Sequence, residues 1–185
     1  KVNKIISEKP VSNSLKDFKK ILFLMKNKNI DIYTNYIRQF LKEFLQIKKI
    51  ILNEKYGKSK VATFYYSKGV FHNGVHFIDY AISLFGMPTK VKIISKIKSQ
   101  TFKNDYLIDF ILIYKKLKIY FISFETKNVS SSSFEIILEN GKIEVTTDRE
   151  LKIYNINKNT VVQNINQFSL VKKEKINYEN SFKNL

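Results

Sequence analysis

Apolar positions in the first half of the chain recur at helical spacing, and in the second half they alternate. Leu15, Phe18, Ile21, Leu22 and Met25 make one apolar stripe, which predicts a helix with one packed face. Ser12 or Ser14 caps it, with Asp17 in its first turn. Residues 2–7 before it read as a strand that Pro10 stops. After a polar turn at 27–29, DIYTNYI reads as a second strand. Strand, helix and strand within roughly 35 residues predict a βαβ unit with parallel strands. Phe44, Ile47, Ile50 and Ile51 mark a second helix ending near Asn53, and VATFYY at 61–66 follows a turn at Tyr56-Gly57-Lys58 as a strand.

The stretch GVFHNGVHFIDYAISLFG, residues 69–86, holds the only two histidines. Val75, Ile78, Ile82 and Phe85 form an apolar stripe at helical spacing, expected to pack. His72, His76, Asp79 and Ser83 form a second stripe beside it. Asn73-Gly74 opens the element, and Gly86 with Pro88 closes it.

Beyond Pro88 the segments 91–98, 107–113, 117–124, 134–138, 143–147 and 151–156 read as strands. Asn140-Gly141 signals a hairpin, and 130–133 is a short loop. Hairpin-like connections predict an antiparallel sheet. The expected fold class is therefore α+β: a mainly antiparallel open-faced sheet with helices on one face, preceded by the βαβ unit. Strands as apolar as FILIY and IYFISF are poor candidates for a wet face. The uncovered face is expected to pack on a second copy, giving a homo-oligomer.

The chain has 185 residues, enough for one domain plus a fragment. Without cysteine it has no disulfide, thiol catalysis or zinc-thiolate site. The charge of +17 brings nucleic acid to mind. It is almost all lysine, scattered along the elements. Arg38 and Arg149 are the only arginines, and arginine is the residue that reads bases and clamps phosphates. A lysine-coated surface is the expectation, with nucleic acid an unlikely partner. No apolar run approaches the roughly 20 residues of a membrane helix, and no signal peptide is visible. A cytoplasmic protein without membrane contact is expected. The first residue is Lys, as in a chain cut from something longer.

HNGVH lacks the glutamate of HExxH and has no obvious third ligand, so no metal is expected. There is no G-x-S-x-G, P-loop or G-x-G-x-x-G. Lys9 stands at the carboxyl end of a presumed parallel strand, where open α/β sheets bind ligands. Glu8 and Pro10 flank it and fix its direction. An amine there can donate to a substrate hydroxyl, and a nearby imidazole can take or return the proton.

Three pieces in order, SEKPVSNSLKDFKKI, NYIRQF and GVFHNGVHFIDYAISLFGMPTKV, resemble the Gfo/Idh/MocA family of NAD(P)-dependent oxidoreductases. That family has an E-K-P triplet ending a Rossmann strand, a Tyr-x-Arg-x-Phe-like start to its C-terminal domain, and a G-x-H-x-x-D helix ending in G-x-P-x-x-V. The likeness is close over residues 5–95 and in outline beyond. It implies that residues 1–37 end a Rossmann cofactor domain and that 38–185 form the substrate-binding and oligomerisation domain. The earlier Rossmann elements would lie upstream, and chain would continue past 181–185.

The resemblance implies hydride transfer between NAD or NADP and a sugar or nucleotide-sugar, with the fragment alone inactive. It makes Lys9 and His76 catalytic. His72, Asn73 and Asp79 fall on the substrate side, and Glu8, Lys9, Pro10, Tyr36 and Arg38 on the cofactor side. His72 stands where many members have Asp and some sugar-modifying relatives have Asn. That departure leaves a second expectation open, a non-catalytic scaffold relative that keeps the sheet dimer.

Overall fold

The computed structural model describes residues 2–125, 131–147, 149–158 and 165–178; the segment 181–185 lies outside them. The chain divides into two compact units, Lys1–Ile37 and Arg38–Leu185.

In the first unit β1 (Lys4–Ser7) and β2 (Asp31–Thr34) pair in parallel, from Lys4 opposite Asp31 to Ser7 opposite Thr34. Between them runs α1 (Leu15–Lys28). The Ser14 hydroxyl accepts the Asp17 N–H at 3.4 Å and opens the helix. Asn29 closes it in the left-handed region, φ 51°. The expected apolar stripe is there, but no α1 residue is fully buried and Leu15 is 70% exposed. A two-stranded sheet is too narrow to cover five such side chains.

The second unit begins with a 3-10 turn, Ile37–Phe40, that runs on from the first unit's last residue. α2 (Lys42–Leu52) and β3 (Ser59–Ser67) follow. A π-helical turn, Val70–Gly74, leads into α3 (Val75–Phe85). Then come β4 (Lys90–Lys98), β5 (Tyr106–Ile113), β6 (Lys118–Phe124), β7 (Ser132–Leu138), β8 (Gly141–Thr146), β9 (Glu150–Lys158) and β10 (Asn166–Lys175). These make one sheet in the order β10-β9-β8-β7-β3-β6-β5-β4. Every neighbouring pair is antiparallel except β3 and β6, which run parallel. The fold is α+β and the sheet mainly antiparallel, as expected, with β3–β6 its one parallel pair. Alternation along a strand reports which face is buried, not the direction of its neighbour.

One row of side chains explains why this sheet forms. The register sets Leu151, Val145, Phe134, Phe64, Phe121 and Phe110 side by side across six strands. All six are buried. The Phe64 ring lies 5.0 Å from Phe121 and 4.9 Å from Phe134, both stacked. Phe44 of α2 and Phe77 and Tyr80 of α3 close over the row edge-on or tilted. Both helices therefore sit on one sheet face. The opposite face is mixed: Lys142–Glu144 and Lys152–Glu150 pair at 3.0 and 3.1 Å, while Tyr65 and Ile122 remain exposed.

The helix α3 buries Phe77, Tyr80, Ala81 and Leu84; of the expected stripe, Ile78 and Phe85 pack against this core from its margin, and Val75, Ile78, Ile82 and Phe85 are all only half-buried. The helix is apolar on most of its surface, so spacing alone fits two stripes, and the aromatic row selects the one with larger rings. The hairpin is also adjusted. Glu139 and Asn140 form its tip, and Gly141 already pairs with Leu138. A Cβ on Gly141 would run into the Tyr154 carbonyl, so the glycine serves strand contact, not the turn.

Near Ile108 the sheet opens and two side chains replace the ladder. β5 pairs with β6 only from Phe110 to Ile113. The Tyr66 hydroxyl donates to the Ile108 carbonyl at 2.5 Å and accepts its N–H at 3.2 Å. Burial pushes that phenol well above its usual range. Asp109 accepts the N–H and hydroxyl of Ser123, each at 2.7 Å, and the Ser95 hydroxyl at 2.8 Å. Burial alone would raise its carboxyl; these hydrogen bonds hold it below the usual carboxylate range. Tyr66→Phe should strip Ile108 of both partners and cost about 1–3 kcal/mol in urea denaturation.

Candidate functional site

In the first unit, Glu8, Lys9 and Pro10 follow directly on β1. Lys9 is half-buried. Glu8 accepts the Asn35 side-chain amide at 3.0 Å, and the Asn35 N–H donates to the Ser7 carbonyl at 2.8 Å. The loop after β2 thus extends the pairing by one residue and holds the base of the E-K-P triplet. Tyr36 follows Asn35 and is half-buried.

In the second unit, both histidines are presented by the π turn and the helix it feeds. Gly69 starts the turn at φ 86° and ψ 162°, a conformation essentially reserved for glycine. Its carbonyl accepts the N–H groups of both Asn73 and Gly74, each at 3.1 Å, which is the π signature. Asp105 organises the exposed end. Its carboxylate accepts the N–H of Phe71 at 3.0 Å and of His72 at 2.9 Å, and the residue is 5% exposed. A carboxylate on first-turn N–H groups is an N-cap, here supplied by the connection before β5.

The Ser99–Asp105 connection that carries this carboxylate is itself tied down. Glu125 accepts the Ser99 hydroxyl at 2.7 Å and the N–H groups of Gln100 and Thr101, both at 3.0 Å. The same loop lays the Phe102 ring on the His72 imidazole, centroids 4.3 Å apart, with Lys68 Nζ 6.0 Å from the Phe102 centroid. His72 is therefore a positioned, solvent-facing imidazole. His76 is half-buried in the first turn of α3. The π turn between them means that the two do not share the register of an uninterrupted α-helix.

The Ser99 hydroxyl, followed by the loop N–H bonds, lowers the Glu125 carboxyl from 4.5 to about 2. Its folded value lies below its unfolded one. It therefore adds stability above pH about 4.5 that is lost as pH falls toward about 2. Glu125→Gln should be less stable than the parent at neutral pH, with the gap closing across that window in urea melts.

Asp79 is bound to structure. Gln39 Nε2 donates to its carboxylate at 2.6 Å, joining the 3-10 turn to α3. Burial raises its carboxyl above the usual range, with Gln39 and Lys48 offsetting only part. Arg38, 9% exposed, holds its guanidinium 5.0 Å from the Phe77 ring centroid. Arg38 and Asn73 line one open cavity of about 1050 Å³, with Ser132, Arg149, Lys152 and Lys175 among its other walls. Of the sequence-derived site residues in this unit, the structure gathers Arg38 and Asn73 in the cavity and sets Asp79 on Gln39. His72 is kept on Phe102.

Asp105, Phe102 and Arg149 carry no local signal of their own, since each acts on residues far away in sequence. Gly69, before a histidine-bearing helix, is the one clue to Asp105. Among the described residues no three His, Asp or Glu side chains are grouped to hold a metal ion. Among them, no helix is long and apolar enough to cross a membrane.

No protein-family model matches the chain, and no curated protein matches it by sequence. Solved structures do match in fold. An NAD-binding oxidoreductase from Klebsiella pneumoniae aligns with TM-score 0.72 at 13% identity, over 91% of this chain and 54% of that one. A dehydrogenase from Chromobacterium violaceum gives 0.71 at 9%, over 91% and 55%. An oxidoreductase from Agrobacterium radiobacter, solved with NAD+, L-tartaric acid and magnesium, gives 0.64 at 14%, over 89% and 53%. The chain spans between 53% and 62% of the length of eight of the structures it matches. The α+β architecture is thus one that oxidoreductases and dehydrogenases use.

Proposed function

We propose that residues 1–37 are the last strand-helix-strand of a Rossmann cofactor domain, and that residues 38–185 are the substrate-binding and oligomerisation domain of a Gfo/Idh/MocA-type oxidoreductase. The reaction is hydride transfer between NAD(P) and a hydroxyl or carbonyl of a sugar or sugar derivative. The observation that carries this is the E-K-P triplet at the carboxyl tip of a parallel strand, in a chain that aligns along most of its length with oxidoreductase structures. The division into compact units after Ile37 also supports it.

The donor set fits only the nicotinamide end of such a cofactor. Lys9 just past β1 supplies an amine and Tyr36 just past β2 a phenol, while this sequence has no glycine fingerprint for a pyrophosphate. NAD(P), when bound, supplies the hydride donor or acceptor. Lys9 donates to the reacting oxygen and steadies charge on it. His76 takes the hydroxyl proton in oxidation and returns it in reduction. His72 and Asn73 hydrogen-bond neighbouring hydroxyls, Asp79 keeps the helix seated through Gln39, and Arg38 fixes α3 through Phe77.

Calorimetry of the full-length gene product with NAD and with NADP tests this: one of them binds. If neither binds, the non-catalytic scaffold alternative takes over; the departure at His72 favours that alternative. The sheet face bearing Tyr65 and Ile122 seats a second copy. Ile122→Asp should then halve the mass seen by light scattering, and an unchanged mass removes this interface.

A further inference from the structure

Of the chain's 33 lysines and arginines only Arg38 and Arg149 are arginine, and both line the same cavity. Elsewhere lysine suffices to keep the surface wet. Arginine differs in presenting a planar fork that matches a carboxylate or phosphate with two parallel hydrogen bonds. Finding both forks at one concavity, 111 positions apart in sequence (149 minus 38), is not what a solvated lysine coat produces. We propose that this cavity binds an oxyanion: the carboxylate or phosphate group of a small polar ligand. The claim deepens the assignment above by adding a charge to its sugar, and rests on that assignment only for the polyol part.

Each wall is built for the task. Arg38 is almost wholly buried, and Phe77 holds its guanidinium, so little rotamer freedom remains to be lost on binding. Arg149 sits just past β8 on a fixed backbone. Its N–H donates to the Thr146 carbonyl at 3.0 Å, and its carbonyl accepts the Ile176 N–H at 2.8 Å. Its side chain is exposed and, like Lys175, makes no ion pair among the described residues.

The acidic group among the described lining residues is Glu150. It is taken up by Lys152 at 3.1 Å and Lys173 at 3.0 Å, and the hydrogen bond from Lys173 leads the causes that hold its carboxyl below the usual range. Among the described lining residues the cations Arg38, Arg149, Lys152 and Lys175 outnumber that one carboxylate. Asn73 and Ser132 add neutral hydrogen-bonding groups suited to hydroxyls.

The test is an NMR titration of the ¹⁵N-labelled 185-residue chain at fixed ionic strength with three probes: glucuronate, glucose 6-phosphate and glucose. The expected result is saturable shifts of the Asn73, Arg149, Lys175 and Ile176 amides with one or both anions, and at least tenfold weaker binding of glucose. Which anion binds tighter separates carboxylate from phosphate. Arg149→Gln, at an exposed position, should weaken the anion at least fivefold. Arg38→Lys, which keeps the charge and loses the fork, should weaken it as well, while Lys116→Gln outside the cavity should stay within twofold. If neither anion saturates, or Arg149→Gln binds like the parent, the oxyanion site is overturned. If glucose binds as tightly as the anions with the same shifts, the oxyanion site is likewise overturned while the sugar assignment stands.

Discussion

Gly69→Ala is expected to cost the Arg38–Leu185 unit about 3–5 kcal/mol, enough to exhaust much of a small domain's stability. Two costs add. The backbone at φ 86° and ψ 162° lies in a region that a side chain enters only at a penalty of about 1–3 kcal/mol. A Cβ there would also land on the Asp105 carboxylate. That group cannot simply step aside, because it holds the Phe71 and His72 N–H groups. Moving it leaves a buried anion and two helix-terminal donors without partners. Chemical denaturation gives the magnitude. Asp105→Asn separates the two costs: it keeps the glycine conformation and one accepting oxygen, and loses the charge and the second acceptor, so it reads the cap's share of the loss alone. If Gly69→Ala melts like the parent, the cap of the π turn is not what holds this element.

Phe64→Ala is the other large effect, about 3–5 kcal/mol. Phe64 touches the rings of Phe77, Phe121 and Phe134 at 4.9 to 5.4 Å, and it has no solvent exposure. Its removal leaves a cavity under α3 that the stacked row cannot close, because the backbone ladders on both sides fix the spacing of Phe121 and Phe134. Since Phe77 rides on Phe64 and holds Arg38, the loss should also loosen the cavity wall. Phe23→Ala is the control: exposed on α1, it should change stability by less than about 0.5 kcal/mol.

Sequence pattern carried further for local elements than for their partners. The βαβ unit, a serine cap at 12 or 14, the end of α2 and the β5 and β6 strands all follow from spacing and turn chemistry; the fold selects Ser14. β10 did not emerge, because Asn166–Lys175 lies at the sheet edge and is exposed at most positions. An edge strand wet on both faces need not alternate. The parallel β3–β6 pair was invisible for a different reason: both strands carry the same aromatic alternation whichever way they run.

At the site, the histidines and the E-K-P triplet stand out because the chain is poor in histidine, proline and glycine. Asp105 does not. It looks like a loop acid in TFKNDY, and only the folded chain sets it under the His72 turn. Arg149 is marked in the sequence only by the scarcity of arginine; its place beside Arg38 comes from the fold.

Hydride transfer by the full-length protein, followed through the nicotinamide absorbance for the parent, Lys9→Ala and His76→Ala, tests the central claim most directly. With NAD(P) held saturating, each variant should lose about 10²–10⁴-fold in kcat/KM for the sugar, the range of a general acid–base group. Parent-like turnover in either variant would contradict the role assigned to that residue, and parent-like turnover in both would leave the fold without this chemistry.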